Sequence, residues 1–142
     1  MRSANRVGWV LLALALGVGP AGAAADVVAI VSSKSEIAKL TRSEVADIFL
    51  GRASRLPDAA RFVPLDQPEG SAARDEFYET FAGKSAAQIK AHWSKIIFTG
   101  RGQPPAQVAD GPEARKRVAE NPNAIAYVER EQVDDSVRIV SP

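Results

Sequence analysis

The stretch from Pro64 to Phe77 constrains the fold of this chain more than any other. It reads Pro-Leu-Asp-Gln-Pro-Glu-Gly-Ser-Ala-Ala-Arg-Asp-Glu-Phe, which predicts a short strand, a turn at Gly70-Ser71 and then a helix. The first backbone N–H groups of a helix have no partner inside it and lie at the positive end of its dipole. Such a turn suits an anion, and Arg74 in the first helical turn can add a charge-assisted hydrogen bond.

The first 25 residues have the pattern of a secretory signal peptide. Arg2 and Arg6 form a basic region, an apolar run extends from Val7 to Val18, and small residues follow it. We expect cleavage after Ala25, with cleavage after Ala23 as the alternative. The apolar run is shorter than the ~20 residues that a membrane span needs, which argues against an uncleaved anchor. The sequence therefore predicts export to the periplasm.

Cleavage would leave residues 26–142, which is enough for a single domain with its own core. Losing Arg2 and Arg6 changes the balance of the whole chain, 18 basic and 17 acidic residues, to 16 and 17, a net charge of −1. No run of Lys or Arg with interleaved aromatic residues occurs, so nucleic acid is not an expected partner. The chain has no cysteine, which excludes disulfides and a lipid-anchored lipoprotein.

Apolar strands alternate with capped helices in the predicted domain. The run Val27–Val31 is continuous and β-branched, which favours a strand covered on both faces, as in a parallel sheet. Thr41 with Glu44, and Ser85 with Gln88, form capping boxes that predict helix starts. Further strands are predicted at 62–65, 124–128 and 137–140, and further helices after residue 71 and from about residue 112. This alternation predicts an α/β fold with a mainly parallel sheet flanked by helices.

Residues typical of catalytic and metal centres are scarce. His92 is the single histidine and cysteine is absent, which excludes the usual zinc ligand sets. No Ser-His-Asp constellation can be located. The carboxylates of Asp75, Glu76 and Glu79 are explained by their favourable position near a helix N-terminus. We therefore expect neither enzyme activity nor a metal or other cofactor.

Ser32 and Ser33 follow the first predicted strand, just as Gly70 and Ser71 follow the second. Ligands of open α/β sheets bind beyond the carboxyl ends of the strands. Because both turns follow strands, we expect both to lie at that end of the sheet. Ser71 and Arg74 are thus the main candidates for an oxyanion site, with Gly70 beside them and the two earlier serines facing them.

Three motifs resemble, in order and spacing, those of the substrate-binding proteins of phosphate ABC transporters, which have the type II periplasmic binding protein fold. Leu40–Gly51 resembles that family's segment that begins L-T-x-x-E and ends I-F-x-G. Gly70–Phe77 resembles its G-S-G-T-R phosphate loop, and Asn121–Val128 resembles its P-G-A-I-G-Y-V strand. The resemblance implies a lobe of that fold and assigns Ser71 and Arg74 to the ligand.

Two departures from the family pattern bear on function. Ala72 and Ala73 stand where the family has glycine and threonine, so the hydroxyl that threonine would offer to phosphate is missing. The predicted domain also has the length of one lobe, whereas the family has two lobes that close on the ligand. The resemblance implies an exported domain that binds phosphate or another small oxyanion for transport or sensing. The alternative is an interaction module that has lost ligand binding and serves a membrane transporter or sensor protein.

Overall fold

The computed structural model describes residues 26–53 and 61–142 as alternating strands and helices. The predicted signal peptide, residues 1–25, lies outside the described residues. In chain order the elements are β1 (Val27–Ser32), α1 (Arg42–Phe49), β2 (Val63–Asp66), α2 (Ala72–Phe77), a π-helical segment (Tyr78–Ala82), α3 (Ala86–Phe98), β3 (Ala106–Gln107), α4 (Gly111–Glu120), β4 (Ala124–Glu129), a 3₁₀ turn (Arg130–Gln132) and β5 (Val137–Ser141). Every predicted strand and helix is confirmed, and the short β3 was not predicted.

The five strands form one sheet in the order β3-β2-β4-β1-β5. β2 pairs in parallel with β3 and β4, whereas β1 pairs antiparallel with β4 and β5. Four of these strands therefore point the same way, which confirms the mainly parallel sheet, and β1 points the other way. The expectation that β1 would pair in parallel was wrong. The chain leaves β1 and enters β2 at the same end of the strands, so β1 and β2 point in opposite directions.

β1 lies in the middle of the core and is covered on both faces. Alternate residues of a strand point to opposite faces. Val27, Ala29 and Val31 belong to a cluster completed by α1, α2 and α3, whereas Val28 and Ile30 belong to a second cluster that includes α4. The unbroken apolar run of β1 thus reflects burial between two layers of helices, and it carries no information on strand direction.

Two helices begin at the predicted capping boxes. The Oγ1 atom of Thr41 accepts a hydrogen bond from the Glu44 N–H at 3.2 Å, and Glu44 Oε2 accepts one from the Thr41 N–H at 2.7 Å. Ser85 and Gln88 make the same reciprocal pair at the start of α3. Each cap satisfies backbone groups that the first turn leaves without partners. These local interactions explain why both starts were predictable.

The helix after Ser71 changes its winding at Tyr78. α2 continues directly into the π-helical segment, and Gly83, with a φ of +63°, ends it. The residues predicted to face inward are buried: Ala73, Phe77, Tyr78 and Phe81. A π-helical turn holds more residues than an α-helical one and often occurs at functional sites. Here it follows α2, the helix that begins at the Gly70–Ser71 turn.

Candidate functional site

The Gly70–Ser71 turn joins the end of β2 to the start of α2, as predicted. Gly70 has a φ of +89°, a conformation that residues with a Cβ rarely adopt. The Ser71 hydroxyl oxygen accepts a hydrogen bond from the Arg74 N–H at 3.2 Å, and the Ser71 N–H donates to the Pro68 carbonyl at 3.1 Å. Ser71 is therefore the N-cap of α2, and its hydroxyl proton remains available to an acceptor outside the helix.

Asp66, the last residue of β2, is a buried carboxylate that the sequence analysis did not single out. Its side chain is 3 % exposed. Tyr78 donates its hydroxyl proton to Oδ2 at 2.6 Å, Tyr127 donates to Oδ1, and the Gln67 N–H donates to Oδ1 at 2.9 Å. Burial of a charge is tolerated when hydrogen bonds and an opposite charge compensate for lost water. Its position could have identified Asp66 from the sequence, because it ends a buried strand just before the candidate anion-binding turn.

Arg74 supplies the opposite charge. Its Nε atom lies 3.5 Å from Asp66 Oδ2, and its guanidinium carbon lies 5.5 Å from the centre of the Tyr78 ring. The side chain is 13 % exposed. The ion pair is made through Nε. Arg74 is thus positioned next to the turn, but the charge of Asp66 offsets its own.

Both tyrosines act as proton donors to this carboxylate. Burial raises the pKa of Tyr78 and of Tyr127 well above the usual range, and the negative charge of Asp66 raises it further. Ionising either hydroxyl would place a second negative charge beside the first in a poorly hydrated site. The hydroxyls therefore stay protonated and keep the carboxylate of Asp66 oriented.

Stacked aromatic rings fix this network to the sheet. The rings of Phe77 and Tyr127 stack with centroids 4.0 Å apart and an interplanar angle of 6°. Phe49 of α1 packs edge-on against Phe77 with a centroid distance of 4.8 Å. Because these rings are fully buried, α2 is held in one position over the sheet. The turn that precedes α2 is therefore carried on a rigid support.

Ser32 and Ser33 do not face the Gly70–Ser71 turn, contrary to expectation. They follow β1, which points opposite to β2, so they lie at the opposite end of the strands from the Gly70–Ser71 turn. There the Ser32 hydroxyl donates to the Ala119 carbonyl at 3.4 Å, and the Ser33 N–H donates to the Ser136 carbonyl at 3.0 Å. The prediction that the two turns lie at the same end of the sheet was wrong, because it assumed that β1 and β2 are parallel.

The turn is largely exposed: Gly70 and Ala72 are exposed, and Ser71 is half-buried. Two clefts, of about 650 Å³ and about 300 Å³, are present in that part of the chain. The larger is lined by residues 34–40 with Phe62 and Pro122, and the smaller by the start of β2 with Trp93 and Pro104. Residues 70–74 line neither of them. Because Gly70 and Ala72 are exposed, an anion at the turn would remain in contact with water on one side.

The single histidine of the chain, His92, makes a contact within the fold. The Nε2 atom of His92 lies 2.9 Å from the Leu50 carbonyl, at the end of α1. In residues 26–53 and 61–142, no cluster of three or more His, Cys, Asp and Glu side chains could hold a metal ion. The helices described there do not include one with the length and apolar character to cross a bilayer.

Comparison with known proteins identifies the fold. No family model matches the sequence, and no curated protein does. Among solved structures, the chain resembles one described as a phosphate ABC transporter substrate-binding protein, from Clostridium perfringens and with bound phosphate, with a TM-score of 0.65 and 24 % identity over 81 % of this chain and 44 % of that one.

Two further structures give the same result. An ABC-type phosphate transport receptor from Vibrio cholerae has a TM-score of 0.63 and 15 % identity over 81 % of this chain and 45 % of its own. PstS from Borrelia burgdorferi has a TM-score of 0.62 and 14 % identity over 82 % of this chain and 46 % of its own. The fold of phosphate substrate-binding proteins is therefore confirmed for this chain. The chain spans less than half the length of each of these structures.

Proposed function

We propose that this chain is an exported domain that binds a small oxyanion, with phosphate as the first candidate, for transport or sensing and without catalysis. The observation that carries the proposal is the position of Arg74. Its guanidinium is held by the buried Asp66 beside the capped start of α2, on a fold shared with proteins of phosphate transport. A cation, a hydroxyl and backbone N–H groups at one turn form the donor set that an oxyanion requires.

Each part of the turn has a defined chemical task in this proposal. The Ser71 hydroxyl accepts from the helix and donates its own proton to the anion. The N–H groups of Ala72 and Ala73, in the first turn of α2, have no acceptor within the helix and are available to the anion. The terminal nitrogens of Arg74 supply a bidentate fork for two anion oxygens. The site residues are accordingly Gly70, Ser71 and Arg74, without Ser32 and Ser33.

The same geometry limits the affinity. Asp66 offsets the charge of Arg74, Ala73 has no hydroxyl to donate, and the turn is open to water, where charge-assisted bonds are weaker. Losing one hydrogen bond to a charged group lowers affinity about tenfold to more than a hundredfold. We expect phosphate binding with a Kd in roughly the micromolar to millimolar range.

Calorimetric titration of residues 26–142 with phosphate and with sulfate tests the proposal. Arg74→Ala should abolish the binding heat, while circular dichroism reports whether the variant is folded. Arg115→Ala is the matched control, because Arg115 pairs with Asp134 at 3.3 Å and lies on α4, across the sheet from α2. Nanomolar phosphate binding, or binding that survives in folded Arg74→Ala, would contradict this site.

Export is tested separately by mass spectrometry of the protein recovered from the periplasm. We expect a chain that begins at Asp26, or at Ala24 if cleavage follows Ala23. A recovered product that still begins at Met1 would show that the leader is not removed.

A second candidate function is an interaction module that serves a transporter or sensor in the membrane. The offset charge of Arg74 and the missing threonine hydroxyl at Ala73 favour it, because both weaken anion binding. Titrations that give no heat with phosphate or sulfate would support this candidate, provided that the protein is folded.

A further inference from the structure

Two donors approach the same oxygen of the buried carboxylate of Asp66. The Tyr78 hydroxyl donates to Oδ2 at 2.6 Å, and the Nε atom of Arg74 lies 3.5 Å from that oxygen. The first distance is that of a charge-assisted hydrogen bond from a hydroxyl, whereas such bonds from a cationic nitrogen measure about 2.7–2.9 Å. The hydroxyl therefore makes the full hydrogen bond to Oδ2, and the guanidinium is held near the carboxylate without completing one.

Neutral donors satisfy much of the hydrogen-bonding capacity of Asp66. Tyr127 and the Gln67 N–H donate to Oδ1, and Tyr78 donates to Oδ2. A buried carboxylate needs compensation for the water that it has lost, and these three donors supply part of it without a cation. The share that Arg74 must supply is correspondingly smaller.

Tyr78 also contacts the cation itself. The Tyr78 N–H donates to the Arg74 carbonyl at the end of α2, and the two residues are four positions apart, so their side chains lie on one face of the helix. The guanidinium carbon of Arg74 lies 5.5 Å from the centre of the Tyr78 ring, within the range of a cation–π interaction. Tyr78 is itself only 2 % exposed. One fixed residue, at the start of the π-helical segment, thus touches both members of the ion pair.

We propose that Tyr78 is a positioning residue of the anion site and acts through Arg74. Its hydroxyl occupies Oδ2 and keeps the guanidinium from closing onto Asp66, while its ring holds the guanidinium beside the Gly70–Ser71 turn. A cation that stands farther from its counter-charge is less neutralised by it, so Arg74 offers more charge to an anion than it would in a closed ion pair. The inference rests on the proposed function, because it concerns the same site.

Tyr78→Phe tests this role, because phenylalanine keeps the ring and removes only the hydroxyl. Without the competing donor, Arg74 should close onto Oδ2, and phosphate binding to residues 26–142, measured by calorimetry, should weaken about fivefold. Tyr127→Phe is the matched control. It also removes a hydroxyl from Asp66, but at Oδ1 rather than at the oxygen that Arg74 approaches. It should change the Kd by less than about twofold.

The free protein supplies a readout that a purely structural role would move in the opposite direction. Exchange of the Arg74 Nε–H with solvent, followed by NMR, should be slower in Tyr78→Phe than in the wild type, because this N–H gains a full hydrogen bond to Asp66. If the hydroxyl only stabilised the fold, its loss would loosen the site and speed the exchange. Tyr127→Phe should not slow it, and circular dichroism shows whether each variant is folded.

This inference and the proposed function fail in different ways. Phosphate affinity that is unchanged in folded Tyr78→Phe, or equally weakened in Tyr127→Phe, would show that the Tyr78 hydroxyl does not set the charge offered by Arg74. Faster exchange of the Arg74 Nε–H in Tyr78→Phe would assign the hydroxyl a structural role only. A wild-type protein that binds neither phosphate nor sulfate would contradict the proposed function, whereas slower exchange in Tyr78→Phe would still support the position assigned to Arg74.

Discussion

The Nε atom of Arg74 lies 3.5 Å from Oδ2 of Asp66, and both side chains are largely withdrawn from solvent. This ion pair links the end of β2 to the first helical turn of α2. It orients the guanidinium beside the Gly70–Ser71 turn, and at the same time it reduces the positive charge that the turn offers to an anion. The position of the Arg74 guanidinium and the net charge at the candidate site thus both depend on the carboxylate of Asp66.

Asp66→Asn should destabilise the fold by about 3 kcal/mol, because removing one partner leaves the other charge largely buried and unpaired. Asp47→Asn is the matched control, since Asp47 pairs with Arg52 at 3.7 Å on the surface, and it should change stability by less than about 1 kcal/mol. Urea denaturation at neutral pH measures both. Equal effects of the two substitutions would show that the buried pair contributes no more than the exposed one.

Neither tyrosine should ionise before the protein unfolds at alkaline pH. Tyr78 and Tyr127 are the only tyrosines of the chain, and both have a raised pKa in the folded state. Above pH ~10 the unfolded chain loses protons that the folded chain keeps, so stability falls as pH rises, by up to about 2.7 kcal/mol per pH unit for the two groups.

Tyrosinate absorbance near 295 nm, followed together with circular dichroism, checks this expectation. The two signals should change together, and Asp66→Asn should move both to lower pH, because the less stable variant unfolds at a lower pH. Tyrosinate absorbance that appears while the protein is still folded would contradict the buried network.

Ala73→Thr should strengthen phosphate binding about tenfold or more, if the hydroxyl reaches the anion as in the resembling family. Ala73→Val is the control, because valine has the shape of threonine without the hydroxyl. The control also accounts for any strain at this buried position, where Ala73 is 9 % exposed. Calorimetry that finds the same affinity for both variants would place the anion elsewhere.

Thr41→Ala should lower stability by ~1 kcal/mol, because it removes the side-chain acceptor of the α1 capping box. Thr41→Ser keeps an acceptor at that position and should cost only a fraction of this. The measurement is the midpoint of urea denaturation at an unchanged m-value. A midpoint that does not move in Thr41→Ala would show that the cap does not stabilise the fold.

Gly51→Ala should destabilise more than Gly83→Ala. Both glycines have a positive φ, +74° and +63°, which disfavours alanine by about 1–2 kcal/mol. A Cβ on Gly51 would also lie 3.1 Å from Cη2 of Trp93, whereas one on Gly83 would meet nothing within 4 Å. The difference between the two denaturation midpoints isolates the contact with Trp93. It should be accompanied by a change in Trp93 fluorescence in Gly51→Ala alone.

The sequence alone determined those features that depend on neighbouring residues. Both capping boxes, the strand-turn-helix unit around Ser71 and the burial of β1 on two faces were predictable, because their causes lie within a few positions of the chain. The α/β fold followed from the alternation of these elements. The position of Arg74 in the first turn of α2 was predictable for the same reason.

Only the tertiary structure decided what these elements face. The direction of β1 depends on pairing with β4 and β5, which are distant in the chain, and it removed Ser32 from the candidate site. The environment of Asp66 depends on Tyr127, 61 positions away. Whether Arg74 offers a full charge to an anion is set by this long-range packing, because a buried carboxylate within ion-pair distance acts on it regardless of separation along the chain.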